Sequence, residues 1–245
     1  MSINTLFKEA TEIFIGDYLI TTVNIWNLKN RVSIIKSPGI YIFDLNKYKI
    51  NNQLFIALEL VNLNKLTDGY YGIQNSPYIS AYWVPQGMSC EIPVEPDDSS
   101  PKFVFTPDFS GCSLVIDQIS NNKYRVYHIT KGRCCDEYLR NNIDHGHGIA
   151  GWITPDVYRN DTSFIFLKYN YNINRWEIFY QRQLQLIGHT TSNKLGLTTD
   201  LPLQIKGSGK IPVFDLTKGE GPPPSLTIDG ISISPSDPSS ASINC

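Results

Sequence analysis

The chain carries many short runs of Val, Ile, Tyr, Phe and Trp, each followed by Asn, Asp, Gly or Pro. β-branched and aromatic residues favour strands, and the residues between the runs favour turns. The pattern predicts strands at 18–26, 31–36, 39–43, 53–61, 78–84, 102–105, 113–117, 124–129, 163–169 and 175–186. Two short helices are expected, at 5–15 and 136–141. This series favours a mainly β fold of the α+β kind, a β-sandwich or curved mixed sheet with a few short peripheral helices.

The change in composition near residue 205 predicts the domain organisation. With 245 residues and 41% hydrophobic content, the chain can bury one sizeable core. Residues 206–245 are rich in Gly, Pro and Ser, a composition that buries little apolar surface. We therefore expect a single β-sandwich-like domain at 1–205, which would hold any catalytic residues. A linker and tail at 206–245 would follow, with one strand at 226–233.

Charge and hydropathy narrow the class of protein. The 21 basic and 23 acidic residues form no long run of either sign, which argues against a nucleic-acid or membrane-surface binder. The first ten residues do not look like a secretory signal, and no apolar run of about 18 residues suggests a membrane span. Five irregularly spaced cysteines do not form a disulfide framework. We expect a monomer made in the cytoplasm, without a cofactor.

A predicted hairpin brings a thiol and an imidazole together. The strands at 113–117 and 124–129 flank Gln-Ile-Ser-Asn-Asn, and a turn centred on Ser120 sets Cys112 directly opposite His128. A one-residue slip would mix the apolar and polar faces. Directly opposite residues have β-carbons about 4.5 to 5.5 Å apart. The apolar face carries Cys112, Leu114, Ile116, Tyr124, Val126 and His128, and the polar face carries Ser113, Val115, Asp117, Lys123, Arg125 and Tyr127.

This pairing predicts cysteine chemistry. A neighbouring imidazolium lowers the pKa of a thiol and so supplies the nucleophilic thiolate. Gly111 allows a sharp turn before Cys112. The backbone amide of Ser113 is then a candidate donor to the oxyanion of a tetrahedral intermediate.

The motif Ser110-Gly111-Cys112, followed by a strand and a strand-borne His128, resembles a family of Cys-His deamidase toxins. That family includes cytotoxic necrotizing factor and the Burkholderia lethal factor, and its motif is Leu-Ser-Gly-Cys. Phe109 stands in place of the leucine, and Thr106 matches a threonine that the lethal-factor branch has six residues before its cysteine. The cysteine-to-histidine gap is slightly longer than in the family. The resemblance covers about 30 of the 245 residues.

The resemblance implies a bacterial toxin or effector that converts a glutamine of a host protein to glutamate, with a possible transglutaminase side activity. The substrate would be a Rho-type small GTPase or a translation initiation factor. The protein would be secreted or injected and act in the host cytosol. Cys112 would attack the carboxamide and His128 would transfer protons. Thr106 is the first choice for the group that orients His128; Asp108 is an alternative, and Asp117 is disfavoured because it lies on the other face.

Other interpretations remain open from the sequence. A Cys-His pair can simply pack in the core of a non-enzymatic recognition module, and a cysteine peptidase or acyltransferase would use the same dyad. Cys134, Cys135, His145 and His147 offer zinc ligands, but they lack the usual spacing, so no metal is expected. We expect a polar loop there that borders the active site, with His145 and His147 as substrate contacts.

Overall fold

The computed structural model describes residues 2–22, 35–50, 53–61, 78–140, 143–159, 161–185, 202–221 and 225–241. The predicted strand at 31–36 lies almost wholly outside these ranges. The helices are α1 (Ile3–Glu9), α2 (Thr11–Asp17) and α3 (Cys134–Glu137). The strands are β1 (Leu19–Thr21), β2 (Gly39–Ile50), β3 (Gln53–Leu60), β4 (Ile79–Trp83), β5 (Ser89–Pro93), β6 (Phe103–Phe105), β7 (Phe109–Ser110), β8 (Ser113–Ser120), β9 (Lys123–Ile129), β10 (Ile149–Ile153), β11 (Thr162–Asn170), β12 (Arg175–Gln185), β13 (Pro202–Pro212), β14 (Leu226–Ile228) and β15 (Ile231–Ile233).

The fold is mainly β with a few short helices, which confirms the predicted class. Sheet A is mixed and has the order β1-β3-β2-β4-β6-β11-β12-β13, with β7 also paired to β11. Sheet B is antiparallel, in the order β10-β8-β9-β5. Sheet A curves until it is nearly closed. Among the described residues, no helix is long and apolar enough to cross a membrane.

Two buried glutamines of β12 hold the first strand against the far end of sheet A. The Gln183 side-chain amide donates to the Ile20 carbonyl at 2.5 Å, and the Ile20 amide donates to Gln181 Oε1 at 3.1 Å. Gln181 Nε2 also donates to the Ile15 carbonyl at 2.6 Å. A buried amide that lost these partners would carry a full desolvation cost. The curvature of sheet A is therefore fixed by side-chain hydrogen bonds that span the sequence.

The apolar core has three main layers, one on each side of sheet B and one on the far face of sheet A. Burial of these side chains is the main favourable term for folding. The layer between the sheets includes Val104, Phe109, Cys112, Leu114, Ile116, Val126, Ile165 and Trp176. The second layer joins α1 and α2 to sheet A through Phe7, Phe14, Phe43, Phe105, Phe164 and Phe166. The third covers the outer face of sheet B and includes Val115, Tyr127, Tyr138, Leu226, Ile228 and Ile233.

The segment predicted as a linker and tail is part of the fold instead. β13 continues through residue 206 to Pro212 and pairs with β12 throughout. Val213 is buried between the sheets, and the β14–β15 hairpin packs on sheet B. The composition was misleading because only a few aliphatic side chains, Val213, Leu226, Ile228 and Ile233, need to be buried to anchor this segment, and β13 itself stays partly exposed. The boundary at 205/206 is therefore wrong.

The helix predictions were close in position and differ in detail. The helix predicted at 5–15 is two helices, because Ala10 leaves the helical region with φ −123° and ψ 49°. The Thr11 hydroxyl donates to the Phe7 carbonyl across this break at 2.7 Å. The helix predicted at 136–141 is the single turn α3, which begins two residues earlier.

Candidate functional site

The hairpin that carries the candidate cysteine and histidine forms, in a register shifted by two residues. His128 lies opposite Leu114, and Ser113 lies opposite Ile129, so the predicted pairing of Cys112 with His128 is wrong. Cys112 precedes β8 and is diagonal to His128. Because side chains alternate with period two, an even shift leaves Cys112 and His128 on the same face.

The turn explains the shift. Ser120 pairs with Lys123, which closes a two-residue turn at Asn121 and Asn122, and an irregularity between Gln118 and Ser120 absorbs one residue. Asn is favoured in turns because its short polar side chain forms local hydrogen bonds, and here Asn122 Oδ1 accepts from the Ser120 hydroxyl at 2.8 Å. The prediction centred the turn on Ser120, one residue too early. Moving the centre of a turn by one residue changes the partner of each strand residue by two positions, which gives the observed shift.

His128 is held from two sides. Thr106 Oγ1 lies 2.5 Å from His128 Nδ1, and the Phe109 ring stacks on the imidazole with centroids 4.1 Å apart and planes 7° apart. Asp108 instead accepts from the Thr22 amide at 3.2 Å. Of the candidate orienting residues, Thr106 is therefore the one bonded to His128.

The other ring nitrogen of His128 has no hydrogen-bond partner among the described residues. Only 1% of His128 is exposed, and Nε2 is buried. Burial lowers the pKa of His128 to about 3, so the imidazole is neutral near pH 7. A buried polar atom without a partner costs free energy, and a catalytic role is one explanation for such an atom.

Cys112 is nearly as well buried, with 4% exposed. Burial raises the pKa of its thiol, although nearby backbone N–H groups of Lys131 and Ser110 oppose the rise. The expected thiolate and imidazolium are therefore absent from this state, because both groups sit in an apolar layer that disfavours charge. Gln86 Nε2 lies 3.7 Å from the sulfur, and Tyr158 donates its hydroxyl to the Cys112 carbonyl at 2.7 Å.

The backbone around Cys112 agrees with the prediction at Gly111 and differs at Ser113. Gly111 has φ +82°, and an added Cβ would lie 2.8 Å from Lys131 Cδ, so the tight turn requires glycine. His128 directs its backbone groups away from β8, toward Gly87 and Met88. Because backbone groups alternate in direction along an antiparallel strand, the N–H and C=O groups of Ile129 point toward Ser113. The Ser113 amide belongs to the ladder and is a poor oxyanion donor.

Gln86 is the site residue that the sequence did not reveal. It is exposed and lies in the turn before β5. The Gly87 amide donates to the His128 carbonyl at 2.8 Å, and the His128 amide donates to the Met88 carbonyl at 3.0 Å. These bonds fix the turn against the histidine and set the Gln86 amide over the thiol. Pro-Gln-Gly marks a turn in the sequence, but nothing local shows which strand lies beside it.

The two loop histidines do not border this site. His145 Nδ1 lies 2.7 Å from Asp117 Oδ2, on the outer face of sheet B, and Tyr138 donates to the same carboxylate at 2.7 Å. His147 Nε2 lies 2.9 Å from Asn121 Oδ1, at the turn end of the hairpin. The expectation that both contact substrate near Cys112 is therefore wrong. The predicted polar face is buried at Val115, Asp117 and Tyr127, where Tyr138 and the β14–β15 hairpin cover it, and is exposed at Lys123.

The cysteines lie in different environments. Cys90, Cys112 and Cys134 are free thiols, whereas Cys135 is disulfide-bonded. Within the described ranges, no three His, Cys, Asp or Glu side chains converge as a metal site would require. Cys245 and His189 lie outside the described residues.

The buried neutral histidine predicts a pH-dependent stability. The unfolded chain binds the His128 proton below a pKa of 6.5, while the folded protein resists it until about 3, so stability falls as the pH falls through this window. Between pH 7.5 and 5, we expect the free energy of unfolding to drop by about 2 kcal/mol more in the wild type than in His128→Gln. Urea unfolding at both pH values measures this, and equal pH slopes would contradict the burial of His128.

Comparison of the sequence with models of known protein families finds no match, and no curated protein matches it. The chemical interpretation therefore depends on the geometry at the open end of the β8–β9 hairpin. There, a neutral thiol and a neutral imidazole share one face, a threonine binds the far ring nitrogen, and a glutamine amide lies over the sulfur.

Proposed function

We propose that this protein is a cysteine-dependent amidase that deamidates a glutamine side chain of another protein. The observation that carries the proposal is the Thr106 hydroxyl on His128 Nδ1, which leaves Nε2 buried, unpaired and on the same face as Cys112. This is how a general base is oriented toward a nucleophile. The substrate class, a Rho-type GTPase or a translation initiation factor, and action as a bacterial effector in a host cytosol follow from the sequence resemblance.

The first half-reaction starts from neutral groups. With the proton on Nδ1 donated to Thr106 Oγ1, Nε2 of His128 has a free lone pair that can take the thiol proton as the sulfur attacks the carboxamide carbon. The carbonyl π electrons move to oxygen and give a tetrahedral oxyanion. Nε2 then passes its proton to the departing nitrogen, ammonia leaves, and Cys112 is left as a thioester.

The second half-reaction uses the same groups in reverse. His128 removes a proton from water, the hydroxide attacks the thioester carbon, and the C–S bond breaks. The sulfur recovers the proton from His128, and the product is a glutamate side chain. An amine in place of water would give a transamidated glutamine.

Gln86 is our candidate for the oxyanion donor in place of Ser113. Its Nε2 is a donor that already lies 3.7 Å from the sulfur, where the oxygen of a tetrahedral adduct would form. Because Gln86 is exposed, its side chain can move as the substrate enters. The exposed Lys131 side chain lies over Gly111, on the same opening. Substrate entry requires both side chains to shift and expose the thiol.

The test is intact and peptide mass spectrometry of a Rho-type GTPase and a translation initiation factor after incubation with the protein. Deamidation adds about 1 Da at one glutamine, whereas a peptidase gives shorter chains and an acyltransferase adds a larger group. A gain of about 1 Da supports the proposal. Cleavage or acyl transfer would overturn deamidation.

A recognition module without catalysis is the second candidate. It is favoured by the burial of Cys112 and His128 and by the directions of their pKa shifts, because each shift stabilises the neutral form of its group. It predicts that Cys112 can be replaced without loss of the biological effect. A substrate that changes mass only in the presence of Cys112 would exclude this candidate.

The threonine contact predicts a specific kinetic effect. Thr106→Val keeps the shape of the side chain but removes the hydroxyl that selects the Nδ1–H tautomer. We expect a fall in kcat of about 10- to 100-fold with KM nearly unchanged. Thr106→Ser is the matched control and should retain most of the rate. Equal rates for the valine and serine variants would contradict the orienting role.

A further inference from the structure

A cleft far from the β8–β9 hairpin is lined by three lysines. It has a volume of about 690 Å³, a size typical of small-molecule sites, and lies where the α1–α2 junction meets β6, β11 and β12. We call it the lysine cleft, after Lys8, Lys102 and Lys168. Lys168 is five residues along β11 from Ser163, which pairs with Phe109, so about 17 Å of strand separate the cleft from the candidate catalytic site.

The three ammonium groups have no carboxylate partner in the described part of the chain. Lys8 donates to the Tyr78 carbonyl at 2.6 Å, and Lys168 donates to the Lys8 carbonyl at 2.7 Å and to the Thr11 hydroxyl at 2.8 Å. Lys102 donates to backbone carbonyls, one of them that of Ser100 at 2.9 Å. Each ammonium carries three donors, so every one retains unused capacity.

Two carboxylates that line the cleft, Glu12 and Glu177, share an ion pair with Lys210. Lys210 lies 2.7 Å from Glu12 and 3.1 Å from Glu177, and Asn170 also donates to Glu177 at 3.0 Å. Burial lowers the pKa of Lys8, and it lowers the pKa of Lys168 although the charges of Glu177 and Glu12 oppose the fall, so desolvation outweighs the attraction of these carboxylates. An anion bound in the cleft would favour the charged form of both lysines.

The wall beside the lysines is aromatic and open to solvent. Tyr171 is 56% exposed, and Lys102 lies over its ring at 5.6 Å. Tyr169 braces Tyr171 from behind, edge to face, with centroids 5.2 Å apart. An exposed ring with polar groups around it suits the C–H face of a sugar, and the exposed Glu9 and Asn172 offer hydrogen-bonding partners for hydroxyl groups.

We propose that the lysine cleft binds an acidic saccharide, a sugar ring that carries a phosphate, sulfate or carboxylate. The anionic group lies against Lys8 and Lys168, and the ring stacks on Tyr171. Lysine suits this role because its ammonium is a compact charge that accepts any of these anions. The site is independent of the deamidase chemistry.

Isothermal titration calorimetry of the full chain tests the proposal with glucose 6-phosphate, glucose 6-sulfate and glucuronic acid as probes. We expect at least one of them to bind, with glucose and inorganic phosphate weaker by about tenfold or more, since each lacks one half of the recognised structure. Binding of AMP without any of the acidic sugars would overturn the saccharide assignment. Absence of binding by all the acidic sugars would overturn the site.

Three variants and one control locate the binding. Lys8→Met, Lys102→Met and Tyr171→Ala should each weaken binding of the best probe by about tenfold. Lys123→Met, which removes an exposed lysine of sheet B, is the matched control and should bind as the wild type does. Thermal melting checks that each variant is folded. Because Tyr171 is largely exposed, its variant remains informative even if a lysine variant unfolds, and unchanged binding in Tyr171→Ala would contradict the proposed stacking.

Discussion

The variant Cys112→Ser should fold as the wild type does and lose at least about 10³-fold in the rate of the proposed deamidation. Serine is slightly smaller than cysteine and keeps the turn at Gly111 and the Tyr158 contact to the backbone. Its hydroxyl is a far weaker nucleophile than a thiol, and neutral His128 cannot compensate. The measurement is the rate of the 1 Da mass gain, with circular dichroism to verify the fold.

Cys90→Ser is the matched control for this loss. Cys90 is a free thiol in β5, only partly buried, and burial raises its pKa to about 11. Its sulfur contacts the Glu91 carbonyl at 3.6 Å and does not lie under the Gln86 amide, so its replacement should leave the rate within about twofold of the wild type. If Cys112→Ser retained more than about a tenth of the rate, the thioester mechanism would be wrong.

Removal of residues 206–245 should abolish the native fold. The truncation removes most of β13, which pairs with β12, and four buried side chains: Val213, Leu226, Ile228 and Ile233. At about 1.5 to 3 kcal/mol for each such side chain, the loss is about 6 to 12 kcal/mol, as large as the whole stability of a typical domain. Thermal unfolding followed by near- and far-ultraviolet circular dichroism measures it.

A shorter truncation should have a smaller effect on stability. A chain that ends at Gly221 keeps β13 and Val213 but lacks the β14–β15 hairpin. We expect it to remain folded with a lower melting temperature, because only the outer layer of sheet B loses its cover. If a chain of residues 1–205 unfolded cooperatively at the wild-type melting temperature, residues 206–245 would be a linker and tail, as the sequence predicted.

The sequence identified most strands because their signal is local. The runs at 53–61, 78–84, 163–169 and 175–186 became β3, β4, β11 and β12 with ends within one or two residues. β5 was missed since Ser-Cys-Glu-Ile-Pro has little β propensity of its own, and β10 was missed since Ala-Gly interrupts its strand-favouring Ile and Trp residues. Both strands are ordered by their neighbours in sheet B. β13 was missed for a related reason, because composition alone does not show which neighbour a strand will find.

The candidate site was likewise predicted only in part from the sequence. Cys112 and His128 were placed on one face because an alternating pattern defines a face even when the register is wrong by an even number, whereas Thr106 was proposed from the family resemblance. The charge state was wrong because burial is a property of the assembled layers, and it determines both pKa values here. Gln86 and the separation of His145 from Cys112 depend on contacts between strands far apart in the sequence, which no local pattern encodes.

The glutamine bridges of β12 also constrain the order of assembly during synthesis. Gln181 and Gln183 bind backbone groups of Ile15, Tyr18 and Ile20, which leave the ribosome more than 160 residues earlier. At about 5 to 20 residues per second, the amino-terminal segment waits roughly 8 to 30 seconds for these partners. During that interval the apolar side chains of α1 and α2 lack their final cover. The nascent chain is therefore expected to depend on holding chaperones until β12 has emerged, and slowing translation should increase its aggregation.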